Sequence, residues 1–147
     1  MTKPPSTYAE WMPLFDKLAT ATDDSSVLPL LQQGTIAWQS GVAERFATRF
    51  AEMLNARLDR ATDAFQRANQ HAHGEREIIE ALLKLRKDLH LLLELTHIPA
   101  LPPEQQQAYR DLVQQQADTI QQSLMDSSRS DRTGKLTSII RNHPVNR

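Results

Sequence analysis

His90, Glu94 and His97 are the residues whose types and spacing best suit chemistry. Steps of four and three residues put them on one strip of a helix, about 60° wide, within a stretch that is otherwise apolar. Imidazole nitrogens and a carboxylate suit zinc or iron, and Glu-x-x-His is the spacing of di-iron bundles. Such bundles need a second motif of the same kind and two more carboxylates, and the sequence supplies neither. The plainer reading is that the strip meets solvent at the end of a bundle, or that the histidines bond neighbouring side chains. On that reading no metal or cofactor is expected.

Two weaker candidates stand beside it. His71 and His73 flank Gly74 as a His-x-His pair, a weak metal signal in what reads as a solvated loop. Arg57 interrupts an apolar arc between Met53, Leu54 and Ala61. It either pairs with a carboxylate from a neighbour or snorkels past the apolar surface, and snorkelling is the favoured expectation. The sequence has no nucleophile elbow, zincin motif or paired cysteines. Gly134, Lys135 and Thr137 lack the first glycine and the preceding strand of a phosphate loop. No enzyme is expected.

The charge pattern points elsewhere. Net charge is −1, but residues 127–147 hold Arg129, Arg132, Lys135, Arg141 and Arg147 against Asp131 alone. Residues 99–126 hold Glu104, Asp111, Asp118 and Asp126 against Arg110 alone. With Leu136, Ile139 and Ile140 among its cations, the basic tail reads as a partner-binding segment. It suits either a phosphate-contacting arm or a short motif that docks into a partner's groove. It could also lie across the acidic segment before it. Exposed ion pairs contribute only about 0 to 1 kcal/mol each, so such docking would be labile and salt-sensitive.

The elements that must carry these residues are helical. Four glycines in 147 residues, few β-branched runs and abundant Ala, Leu and Gln favour helix over sheet. From Ile78 to Ile98 the chain is at its most apolar. Ile78, Ile79, Leu82, Leu83, Leu85 and Leu89 share one side, while Leu91, Leu95 and Ile98 fall where charges stood a few turns earlier. That pattern predicts a central helix, nearly surrounded at its end. The longest helical signal opens at Thr35 and runs to about Gln70, with a weak point at Gly41. From Val42 its apolar residues keep to one arc, and Trp38 falls outside it, so a kink or break near Gly41 is expected.

A reversal at residues 71–75 would make an antiparallel hairpin. A continuous helix through Gly74 would instead leave apolar faces for a second subunit and imply a homodimer. Pro102 and Pro103 start a peripheral helix, Glu104 to Met125, with a stripe of Tyr109, Leu112, Val113, Ile120 and Leu124 under a Gln-rich surface. Near the start, Thr7 can cap a helix from Tyr8 to about Thr20. Asp23, Asp24 and Ser25 precede a short one, Val27 to Gln33, ended by Gly34.

The expected architecture is an all-α antiparallel bundle of three long helices with one or two short N-terminal ones. Residues 1–126 are read as a single domain and 127–147 as a flexible basic tail. The chain lacks cysteine, which suits a reducing cytoplasm, and its first residues, MTKPPSTYAEW, carry no apolar signal region. No stretch is long and apolar enough to suggest a membrane span. The Ala- and Gln-rich long helix resembles, in composition, those of phasins and of small helical secretion chaperones; the likeness spans no diagnostic motif and assigns no residue. The function expected is a non-enzymatic protein–protein interaction module: an adaptor, chaperone or regulator acting through its bundle surface and tail. The alternatives are a nucleic-acid-binding regulator that uses the basic tail and, more weakly, a metal-binding bundle.

Overall fold

Capping residues decide where the first helix begins. In α1 (Tyr8–Thr20) the Glu10 amide donates to Thr7 Oγ1 at 3.3 Å, and Glu10 Oε1 accepts from the Ser6 amide at 3.2 Å. This reciprocal arrangement satisfies amides that a helix start leaves without partners. Pro13 falls inside α1 without displacing its start. The computed structural model describes residues 3–20, 24–39, 41–71 and 74–147, with only the main chain at 24, 25 and 71. Among these residues there are six helices and no strand. After α1 come α2 (Asp24–Gln32), α3 (Val42–His71), α4 (Glu75–Leu95), α5 (Pro103–Ser128) and α6 (Lys135–Asn142). The protein is an all-α helical bundle, as its sequence predicts. No helix among the described residues is long and apolar enough to cross a membrane.

Contacts gather in two units, and α3, α4 and α5 contribute to both. The first comprises Met1–Arg60 and Glu94–Tyr109. Its core is aromatic. Phe46, fully buried, meets Trp11, Phe15 and Trp38 edge-on at 5.6, 5.1 and 5.2 Å between ring centres, and Tyr109 stacks on Phe50 at 4.5 Å. Edge-on and offset pairs of this kind add about 0.5–1.5 kcal/mol each beyond the area they bury.

The long helix starts at Val42 and not at Thr35. Residues 34–39 are irregular because Trp38 turns inward, resting on Phe46 and donating its indole N–H to the Ala100 carbonyl at 2.9 Å. Gly41 takes a φ of 86°, a conformation that side chains disfavour, and ends the irregular stretch. Thr35 crosses above Trp11, whose indole donates to the Thr35 carbonyl at 2.9 Å. The neighbouring Gly34 leaves room for that ring: a Cβ there would stand 2.7 Å from Trp11 Cζ2.

The second unit comprises Ala61–Leu93 and Arg110–Arg147. Leu82, Leu85, Leu89 and Leu92 form the buried line of α4 at three- and four-residue steps, and α5 contributes Val113, Ala117 and Leu124. Toward the end of α4, Leu92 and Leu95 are buried and Leu91 and Leu93 half-buried, with Glu94 exposed between them; the first half of α4 is more open. Leu83 is 46% exposed and Ile79 half-buried, so one side of the helix faces solvent.

Residues 127–147 are not a loose tail. α5 continues to Ser128, and α6 buries Ile139 and Ile140, followed by Val145. The polar composition of residues 127–133 concealed this order. Asp131 uses that polarity locally, accepting from the Thr133 amide at 3.2 Å and the Leu136 amide at 2.9 Å, and so starts α6.

Candidate functional site

His90, Glu94 and His97 are all exposed. His90 lies along the open side of α4 that Ile79 and Leu83 mark, so no buried strip continues from those two residues. A nitrogen of His90 sits 3.1 Å from the main-chain oxygen of Arg147, which also accepts from Arg86 Nε at 2.6 Å. Among the described residues no group of three or more His, Asp or Glu side chains is arranged to hold a metal ion. His73 and the side chain of His71 lie outside the described residues, as does Asp23.

Arg57 does not snorkel. It is 2% exposed, and its Nη1 donates to the Leu18 carbonyl at 3.0 Å. Leu18 is in the last turn of α1, where carbonyls lack partners within the helix and the helix dipole favours a cation. The position that broke the apolar arc is therefore a buried cap for another helix. An arginine amid leucines gave notice of a partner, but its spacing could not say which.

The richest polar geometry lies where residues 135–147 run back along α5. Gln121 uses both ends of its amide on the main chain there: Nε2 donates to the Ile140 carbonyl at 3.5 Å and Oε1 accepts from the Val145 amide at 3.0 Å. The Ile140 carbonyl is one that the end of α6 leaves open. Gln114 Nε2 donates to the Asn146 carbonyl at 3.2 Å, and Asn146 Nδ2 donates to Asp118 Oδ1 at 2.9 Å. At the other end the Ser128 and Thr137 hydroxyls are 2.6 Å apart. The Asn146 and Gln114 amides hold the Asp118 carboxyl below its usual range, and the Leu136 amide and Thr133 do the same for Asp131.

Gln114, Gln121 and Ser128 are spaced at sevens, with buried Ala117 and Leu124 between them on the same strip. That is the repeat of a coiled-coil seam whose first position is polar. In the sequence these residues looked like surface glutamines and a linker serine. The signal that could have found them is this heptad step within an apolar stripe.

Of the cationic residues in the predicted partner-binding set, Arg129, Arg132, Lys135 and Arg141 are exposed. Leu136 is half-buried, and Ile139 and Ile140 face inward. The segment does lie along α5, but through amides and apolar side chains. Arg129 does reach an acid of α5, Asp126 at 3.4 Å, but as a neighbour three residues away. The salt-sensitive docking anticipated from charge is replaced by contacts that salt screens little.

The first unit carries a smaller feature, a groove of about 270 Å³ floored by Phe15 and Met53, with Met12, Ala19 and Ala56 along it and Asp16, Arg49 and Glu52 at its rim. Tyr8 and Glu52 hold Arg49 more firmly in its charged form. Comparison with protein-family models, curated proteins and solved structures returns no match to this chain.

Proposed function

We propose that this protein is a non-enzymatic interaction module that works by binding another protein, as an adaptor, chaperone or regulator. The observation that carries the reading is the α5 seam. Gln114 and Gln121 hold a polypeptide by its main-chain carbonyls and amide, the groups that every protein partner presents. Side-chain amides placed this way recognise a backbone, while the apolar positions beside them select for side chains. Around the seam Arg129, Arg132, Lys135 and Arg141 stand in solvent, and long cationic side chains at the rim of an interface steer approach and favour acidic partners.

The test is capture by tagged full-length protein from its native lysate, divided into nuclease-treated and untreated halves. A variant with Arg129, Arg132, Lys135 and Arg141 all changed to Glu is run in parallel. A defined protein retained after nuclease and lost with the charge-reversed variant supports the reading. Capture that disappears with nuclease moves the function to nucleic acid, whose affinity would then fall steeply with salt. A protein that stays monomeric and retains nothing ends the proposal.

A further inference from the structure

Residues 135–147 occupy the α5 seam, and α5 side chains hold them largely by the main chain. Three side chains are buried, Ile139, Ile140 and Val145; Gln114 and Gln121 of α5 and Arg86 of α4 reach the segment's main chain, while Asn146 and Thr137 use their own side chains on Asp118 and Ser128. The Gln121 amide spans from the Ile140 carbonyl to the Val145 amide, so it clasps the point where a short helix gives way to Pro144. The hinge leading to the segment, residues 129–134, is polar and mostly exposed, and its order rests on Asp131 and Thr133.

Resting on the reading of the protein as an interaction module, we infer that this seam is a peptide-binding groove filled in cis by residues 135–147, and that a partner's segment of the same chemistry takes their place. The matching ligand has two adjacent branched apolar residues near the end of a short helix, then a proline and a further branched residue in a turn, followed by a side-chain amide. Ile139-Ile140 and Pro144-Val145-Asn146 define that pattern. The seam selects it because Gln121 and Gln114 stand at a fixed seven-residue step, so only a segment that leaves its helix at the right place offers a carbonyl and an amide to Gln121 and a further carbonyl to Gln114. Release of the segment also moves Lys135 and Arg141 away from the groove and leaves Arg129 and Arg132 beside it, which couples opening to a change in local charge.

A fluorescent synthetic peptide of residues 134–147 tests this on the full-length protein by polarisation. The wild type, closed in cis, is expected to bind it weakly. The full-length Ile140→Asp variant, whose own segment is released, should bind it about tenfold more tightly, the factor by which a site open a tenth of the time weakens apparent affinity. Adding Gln114→Ala and Gln121→Ala should remove that gain, and a peptide carrying Ile139→Asp and Ile140→Asp should not bind.

A released variant that keeps its helical content and fails to bind the peptide overturns the inference. So does a dimer, forming with concentration, in which a second copy fills the seam. Should Ile140→Asp not fold, hydrogen exchange in the wild type decides: the Val145 amide must exchange faster than those of α5, and one that opens only with global unfolding overturns it. Excess peptide should also displace the partner captured from lysate. Capture that ignores the peptide overturns the inference and leaves the interaction reading standing, whereas peptide binding without any captured partner does the reverse.

Discussion

Replacing Arg57 with alanine probes the least expected contact in the first unit. The guanidinium is 2% exposed and holds the Leu18 carbonyl at the end of α1, 3.0 Å away. A hydrogen bond from a charged donor has a net worth of about 1.5–3 kcal/mol. Truncating a long buried side chain also leaves a cavity, and core truncations to alanine cost about 2–5 kcal/mol when the site cannot collapse. Part of this is offset because a buried charge no longer has to be desolvated. The expected loss for Arg57→Ala is therefore about 2–4 kcal/mol, a large share of a typical total of about 5–15 kcal/mol. Arg57→Met keeps most of the volume and relieves the desolvation, so it should lose about 1–2 kcal/mol, chiefly the cap. Urea unfolding followed by tryptophan fluorescence reads both variants, since Trp11 and Trp38 both lie in this unit. An arginine that merely snorkelled would cost under about 0.5 kcal/mol on truncation. An Arg57→Ala midpoint within that margin of the wild type, with the same denaturant slope, would refute the buried cap.

Gly34→Ala should destabilise by about 1–3 kcal/mol, because its Cβ would stand 2.7 Å from the Trp11 ring; a thermal melt with an unchanged midpoint contradicts the close approach. Burial pushes the Tyr109 hydroxyl from 10 up to about 12. The folded state thus keeps a proton that the unfolded chain gives up, so stability is full below pH 10 and is lost as pH rises toward 12. Alkaline unfolding of Tyr109→Phe should lack that loss. Glu10, bonded by Ser6 and Thr7, is held below its usual carboxyl range, and so are Asp118 and Asp131. Their contribution is present at neutral pH and falls away on acidification below about pH 4. Glu10→Gln should flatten the acid limb of a stability profile, and an unaltered limb would remove Glu10 from the account.

Helical repeat and local capping determined the all-α class and most of the helices up to α5. The bounds of α1 follow from Thr7 and the Trp11, Phe15 and Leu18 spacing, and the start of α5 from Pro103, because local capping and a helical repeat are properties of neighbouring residues. The break at Gly41 was visible in the same way, from Trp38 lying off the arc. What the repeat could not give was the partner of each face. Arg57 reads as a flaw in an apolar stripe until Leu18, 39 residues away, supplies the carbonyl it caps. His90, Glu94 and His97 read as a cluster until the solvent beside Leu83 separates strip from core.

The basic segment shows the same division. Charge and flexibility are local and visible in composition, so residues 127–147 looked loose. Their order comes from Gln114, Gln121 and Asp118, residues 19 to 32 positions removed from those they bond, and from burial of Ile139, Ile140 and Val145. Glutamine is equally at home in solvent and on a main-chain amide. Only the tertiary structure, by bringing a polypeptide alongside α5, decides which of the two it does.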